Sequence, residues 1–503
     1  MERGRNLDQK SNFLILPHSQ WSDHFFTVSI TDSDLDVLAR EIEEFKPKVR
    51  ENIFSLSSDA IKRKILSIHL LISLDVFNRF KGNNGEFKEC LIENVKGMLS
   101  LYEAVHFGTT TDHILDEASR FTLDHLEPLT TGHTAIPPHL LKLIRKALHI
   151  PQHRNSQALV ARAYISFYEQ EEDHDETLLK LAKLNFKFLQ LHYYQELKII
   201  TMWWRELDHT LNLPRNIKER TIESWFSALV INFEPQVSLG RIMSAKLYLL
   251  ITFLDDACDI HGSVSEVASL VDCLERWDPN HMENLQGHMK SSFKFVMYVF
   301  KEYEEILRSQ ERTFMLEKMI EEVFKILVRS NLELNKWARA GHMPNFDEYM
   351  EAGEAEVGAY AAMACSFIGL GDIAKKKDFE LLRSRPKLVR SLAAKTRLMD
   401  DMTDYEDDMK KGYTANAINY YMKQHGITKE EANTEFKKMI GNINKIVNEE
   451  YFKMTNISRP ILNQFIGFGR LLDVLYTADD VFNHRDGKFK DYLFTLLIDP
   501  IHL

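Results

Sequence analysis

Apolar residues recur three and four positions apart along most of this chain, with charges between them, the period of helices that bury one face. The pattern predicts helices over residues 34–45, 178–207, 288–307, 313–338 and 430–452. Alternation at a period of two is scarce, so the expected fold class is all-α. Thirteen prolines punctuate the pattern. Pro137-Pro138 and Pro151 break the first half, and Pro214 follows the stretch that carries Trp203-Trp204. A boundary near 210–215 is therefore expected, dividing the chain into domains 1–212 and 213–503. The Gly-Leu-Gly at 369–371 has no strand before it, and predicts the end or a kink of the helix through 360–367 rather than a nucleotide loop.

Two segments stand out from this background. An apolar run, Leu247-Tyr-Leu-Leu-Ile-Thr-Phe-Leu254, leads straight into Asp255-Asp256-Ala-Cys-Asp259. About 145 residues later a helical stretch over 388–399 leads into Asp400-Asp401-Met-Thr-Asp404-Tyr-Glu406-Asp407-Asp408. At ~3.6 residues per turn, Asp255 and Asp259 share one face, and Asp400, Asp404 and Asp408 form a three-turn stripe. Like charges stacked this way repel, and no basic residue lies inside either cluster. A hard divalent cation held by carboxylate oxygens is the natural compensation, and Mg²⁺ takes a few carboxylates together with water and phosphate oxygens. Arg397, one turn before Asp400, adds a fork for an anion bridged by metal. A solvated helix face is the alternative for either cluster alone; the two together, each following a buried-type run, point to a shared site.

Composition narrows the partners. A chain of 503 residues, 44% hydrophobic and 11% aromatic, fills two or three cores. A net charge of −11 without a dense basic block argues against nucleic acid or an anionic membrane surface as partner. Cys90, Cys258, Cys273 and Cys365 fall in no paired or zinc-ligand spacing, which suits a reducing compartment. No apolar stretch is expected to reach the ~18 residues of a membrane span. Acids at Glu2, Asp8 and Asp23 fit neither signal nor transit peptide, so the cytoplasm is expected, with the plastid as alternative.

Ordered along the chain are further phrases: Leu16-Pro-His-Ser-Gln-Trp21, Trp203-Trp204, Phe233-Glu-Pro-Gln236, the DDxxD box at Asp255, Glu275-Arg-Trp-Asp-Pro279, Phe346-Asp-Glu-Tyr349, Arg397-Leu-Met-Asp-Asp401, Tyr421-Met-Lys-Gln-His425 and Asp473-Val-Leu-Tyr476. Together they resemble the plant class I terpene synthases, most closely the angiosperm sesquiterpene-type subfamily, including mustard-family members with diterpene or sesterterpene products. The resemblance implies a C-terminal class I terpenoid synthase helical bundle and an N-terminal α-helical barrel-like domain that is catalytically silent. It implies a monomeric lyase acting on a small-molecule prenyl diphosphate, with three Mg²⁺ ions and Mn²⁺ as a possible substitute. Asp255, Asp256 and Asp259 would hold one group of ions and Asp400, Asp404 and Asp408 the other. Arg397 and the Lys218-Glu-Arg220 element would bind diphosphate, and Tyr476 with Asp480 would lie in the segment that folds over the site.

A carbocation formed there needs an apolar pocket with aromatic faces, worth ~1–2 kcal/mol each when desolvated. Trp225, Phe226, Tyr360, Tyr476 and Phe482 are the candidates, and ordinary packing is the alternative for each. Small residues at Ser227, Gly358, Ala359, Ala361 and Ala362 would enlarge the pocket, raising the expectation of a precursor longer than fifteen carbons.

The chain departs from the family pattern in several places. The second box has Asp404 and Asp408 where a hydroxyl residue and glutamate are usual, and Lys218 replaces an arginine. No Arg-Arg pair and no DxDD occur. Leu66-Ser-Ile-His-Leu-Leu-Ile-Ser73 runs directly into Leu74-Asp-Val-Phe-Asn-Arg79, where relatives have several tens of residues, so a helix pair of the N-terminal domain is expected to be missing. Two other functions stay open on these residues: a chain-elongating prenyltransferase, and a catalytically impaired paralogue.

Overall fold

The computed structural model describes residues 32–55, 77–132, 136–214, 218–340, 342, 344–412, 414–477, 480–482 and 487–503. The 16–21 phrase and the 73/74 junction lie outside them. Among the described residues every regular element is a helix, and one isolated antiparallel bridge joins Lys81 and Phe87. The predicted helices are present and longer than their apolar cores: Asp32–Ser55, Glu176–Leu211, Gly287–Ser309 and Lys429–Lys453. The 313–338 stretch is interrupted, running as Phe314–Met319, a π turn at Ile320–Phe324 and Lys325–Ala340. Pro138 starts Pro138–His149, its fixed φ suiting the first helical turn.

The chain divides into two compact units. One takes in residues 32–194, Asn444–Lys453 and 487–503. Its helices Val95–Val105, His113–Thr131 and Pro138–His149 bury Met98, Tyr102, Leu126 and Ile144 in a common core. The other unit takes in Gln195–Ile443 and 454–482, and both acidic boxes belong to it.

In that second unit, Thr221–Ile231 is buried along its whole length, and Ser238–Asp256 nearly so. A helix surrounded by protein must be apolar on every face. The consequence corrects one expectation from sequence: Pro235–His261 is long and apolar enough to cross a membrane, but 72% of its most apolar window is buried inside the protein. Buried ion pairs join its helices. Glu196 accepts Arg241 Nη2 at 2.6 Å, Arg241 Nε at 2.8 Å and Trp225 Nε1 at 2.9 Å, tying three helices together. Lys395 and Asp473, both 1% exposed, meet at 2.8 Å between Lys387–Lys411 and Arg459–Tyr476.

Three glycines set the geometry. Gly240 and Gly369 cross with backbones in contact: a Cβ on Gly240 would lie 2.3 Å from Gly369 Cα. Gly369 also ends the helix Ala359–Gly369, as the 369–371 sequence predicts. Gly358, at φ +75°, breaks Phe346–Glu356 from Ala359–Gly369, a conformation an L side chain adopts at a cost.

Candidate active site

The first box sits where its helix changes pitch. Ser238–Asp256 is α-helical, and Ala257–His261 continues it as a wider π turn, so Asp255 and Asp256 stand on one side of the change and Asp259 on the other. Glu356 closes the opposite helix, just before the break at Gly358. One carboxylate oxygen each from Asp255, Asp259 and Glu356 can be chosen so that all three lie within 4.8 Å of one another. Asp256 is turned elsewhere: Arg220 Nη1 and Nη2 fork onto its two oxygens at 2.5 and 3.2 Å.

The second box lies on Lys387–Lys411, ended by Gly412 in the left-handed conformation. Asp400, Asp404 and Asp408 line the same cavity as Asp255, Asp256, Asp259 and Glu356. The three-turn stripe and the first box thus share one hollow of about 580 Å³. Asp401 is structural, accepting from the Tyr349 hydroxyl at 2.9 Å and the Ala417 amide at 2.7 Å. Arg397 donates to Glu356 at 3.0 Å and also to Asp400 and Asp401, which links Glu356 to the second box through one guanidinium.

Burial, and then neighbouring acids, raise the carboxyl groups here. Asp255 reaches solvent through the cavity but is ringed by protein; burial, then neighbouring Asp256, pushes it up to about 6. Glu356 is raised well above the usual range, first by burial and then by Asp255, with which it shares a hydrogen bond. Asp408 is pushed up to about 7 by burial and then Asp401, and Asp480 to about 6 by burial and then Asp400. Acids that resist ionising together are those a divalent cation would relieve, since it binds the ionised form and supplies the missing positive charge. The donor set therefore fits a hard metal ion. An anion fits too: Arg220 and Arg397 line the cavity, and each keeps a buried Nε–H with no hydrogen-bond partner.

Below the acids the wall is apolar, with Ile251, Phe468, Leu471, Leu472 and Leu475 beside the small Ser227, Gly358, Ala359 and Ala362. Tyr476 and Phe482 line it, as the sequence suggests, and the Tyr476 hydroxyl bonds Asp400. Asp480 lines it as well. The other proposed aromatics do not. Trp225 is fully buried with its indole on Glu196, Phe226 packs in the core, and Tyr360 lies under Arg385 in a separate small pocket that also takes Ala361. On a helix buried on all sides, adjacent residues point apart, and only Ser227 of this group faces the hollow. Lys218 is outside the wall, donating to the Phe482 carbonyl at 2.5 Å. The sequence reading missed Glu356, which belongs to neither box; its signal is the break-forming Val357-Gly358 that follows it.

The comparisons with known proteins agree with this geometry. The metal-binding domain of the terpene synthase family matches residues 205–446, and the terpene synthase N-terminal domain matches 71–148. An alpha-barbatene synthase of Arabidopsis thaliana is 65% identical, with all of both chains covered; the match runs over 558 residues where this chain has 503. A (Z)-gamma-bisabolene synthase 2 of the same plant is 47% identical, again with all of both chains covered. Limonene synthase with 2-fluorolinalyl diphosphate shares the fold at a TM-score of 0.87, with 98% and 99% of the two chains covered and 21% identity. Isoprene synthase from grey poplar (Populus x canescens), in complex with three Mg²⁺ ions and dimethylallyl-S-thiolodiphosphate, superposes at a TM-score of 0.81, with 96% and 95% covered and 25% identity. Two acidic boxes facing one apolar hollow, on a chain matched throughout by terpene synthases, establish that this chain belongs to the terpene synthase family, divalent-metal lyases that ionise and cyclise prenyl diphosphates.

Proposed function

We propose that this chain ionises farnesyl diphosphate and closes the fifteen-carbon cation to a sesquiterpene hydrocarbon, releasing diphosphate. The observation that carries the reading is one cavity lined by carboxylates from three helices together with aliphatic and aromatic side chains. A volume of about 580 Å³ lies within the ordinary range for small-molecule sites. The relatives named for barbatene and bisabolene, both fifteen-carbon hydrocarbons, support this chain length.

Asp255, Asp259 and Glu356 are the residues that would hold one group of divalent ions, and Asp404 and Asp408, with Asp400, the other. When bound, such ions neutralise the charge that develops on the departing diphosphate. Three Mg²⁺ ions are expected, as in the poplar isoprene synthase complex, with Mn²⁺ as substitute. Arg397 and Arg220 grip phosphate oxygens, and their bonds to Glu356, Asp400 and Asp256 keep them aimed before the substrate arrives. Tyr476 presents its ring to the cation and is held in place by its hydroxyl on Asp400. Aliphatic walls exclude water until the rings have closed.

Ser227, Gly358, Ala359 and Ala362 on the wall favour a second reading, a twenty- or twenty-five-carbon precursor. Incubation with farnesyl, geranylgeranyl and geranylfarnesyl diphosphate, with and without Mg²⁺, followed by gas chromatography, decides. A Mg²⁺-dependent fifteen-carbon hydrocarbon is expected. Hydrocarbon from a longer precursor alone moves the assignment to the second reading, an elongated diphosphate makes the chain a prenyltransferase, and no product with any precursor makes it an impaired paralogue.

A further inference from the structure

The π turn that carries Asp259 is held from outside on two sides: His261 at its end stacks on His288 of Gly287–Ser309, with ring centroids 4.4 Å apart, and Lys325–Ala340 reaches its carbonyls. An i→i+5 turn is wider than an α turn and moves the side chains after it around the helix axis. Here the widening lies between Asp255 and Asp259, so it decides whether their oxygens converge. A turn of this kind at a helix end leaves carbonyls in need of donors. Two side chains of Lys325–Ala340 provide them. Asn335 Nδ2 donates to the Cys258 carbonyl at 2.7 Å, and Arg339 Nη2 donates to the Asp259 carbonyl at 3.0 Å and the Gly262 carbonyl at 2.8 Å. Asn335 and Arg339 are four residues apart, so they sit one above the other on one helix face. Asn335 is 1% exposed, and Arg339 lines the cavity. The bonds of Arg339 to Asp259 and Gly262 run to backbone carbonyls, unlike those of Arg220 and Arg397, which run to carboxylates.

We infer that Asn335 and Arg339 are positioning residues for the first metal group: they clamp the π turn in the form that brings Asp259 beside Asp255 and Glu356. The inference rests on the proposed role of those three acids in holding metal. Without the two bonds from Arg339 Nη2, the Asp259 and Gly262 carbonyls lose their donor and the turn relaxes towards α-helical pitch, which rotates Asp259 away from its partners. The clamp acts through the backbone, so its loss weakens metal binding without removing a ligand. Loss of partners that orient metal ligands typically lowers affinity about 10- to 100-fold.

The test is Mn²⁺ binding to the full chain, followed by electron paramagnetic resonance with inorganic pyrophosphate present and no prenyl substrate. Arg339→Met is compared with wild type, with the milder Arg339→Gln, which keeps one amide donor, and with Arg329→Met. Arg329 is on the same helix but pairs with Glu275 at the surface. Expected are an affinity about tenfold weaker in Arg339→Met, an intermediate loss in Arg339→Gln, which also serves if Arg339→Met does not fold, and no change in Arg329→Met. Unchanged Mn²⁺ affinity in both Arg339 variants overturns the clamp and leaves the metal assignment standing. Equal loss in Arg329→Met overturns it as well, by showing a general effect of altering the helix. A wild-type chain that binds no Mn²⁺ overturns the metal assignment itself.

Discussion

Asp255 shows how much of one residue's chemistry comes from its neighbours. Its carboxyl is raised to about 6 because burial and Asp256 both oppose ionisation, while Glu356 on another helix shares a hydrogen bond with it. Spacing within the DDxxD box identifies Asp255 and Asp259 as a pair, but nothing in the spacing reveals Glu356, which lies on another helix and in neither motif. Trp225 makes the opposite point: a large aromatic upstream of the first box is an obvious pocket candidate, yet Glu196 holds its indole in the core. Asp255→Asn removes a proposed metal ligand and one of the mutually repelling charges. At pH 8 hydrocarbon formation is expected to fall at least about 100-fold, the scale of losing one preorganised electrostatic group. The melting temperature of the metal-free protein should not fall, because the charge removed is one the folded state resists. Product assay and thermal melts in chelator check the two halves.

Helices were readable from period, and their ends partly so. Proline at 138 and glycines at 369 and 412 stand where helices start or stop. The π turns at Ala257–His261 and Ile320–Phe324 were not, since a one-residue change of pitch disturbs a periodic pattern too little to detect. The contact of Gly240 with Gly369 was hidden for another reason: 129 positions separate residues that only a helix crossing brings together. Gly240→Ala would push a methyl carbon to 2.3 Å from the Gly369 backbone, which cannot rotate out of the way. The variant is expected to lose about 1–3 kcal/mol of stability, the usual cost of overpacking. Urea denaturation of wild type and variant measures it, and an unchanged midpoint would mean the crossing is looser than the structure has it.

Across the whole molecule the raised acids add up to a pH dependence. Asp255 and Asp480 near 6, Asp408 near 7 and Glu356 well above its usual value all bind protons more tightly folded than unfolded. Glu103 and Glu354, each pushed up to about 7 by burial, act in the same direction. Their contribution to stability is complete below about pH 4, where both states are protonated, and is lost as pH rises through 6 to 7. Metal-free protein is therefore expected to melt at a lower temperature at pH 8 than at pH 5. Mg²⁺ with pyrophosphate should recover most of that loss, by binding the ionised carboxylates of the folded state. Differential scanning fluorimetry in chelator and in Mg²⁺ reads both effects, and a melting temperature that rises with pH in chelator would contradict the crowding of these acids.

The order of residues alone determined the helical class and the two acidic boxes with their fitness for a divalent cation, because helical period and carboxylate spacing are local and each is written within a few turns of chain. Tertiary structure decided which acids meet, which aromatics face the hollow, and that the most membrane-like helix is the buried centre of a bundle. Those outcomes depend on how helices far apart in sequence cross and where one of them changes pitch. Such geometry is set by packing summed over many side chains, and no single motif encodes it.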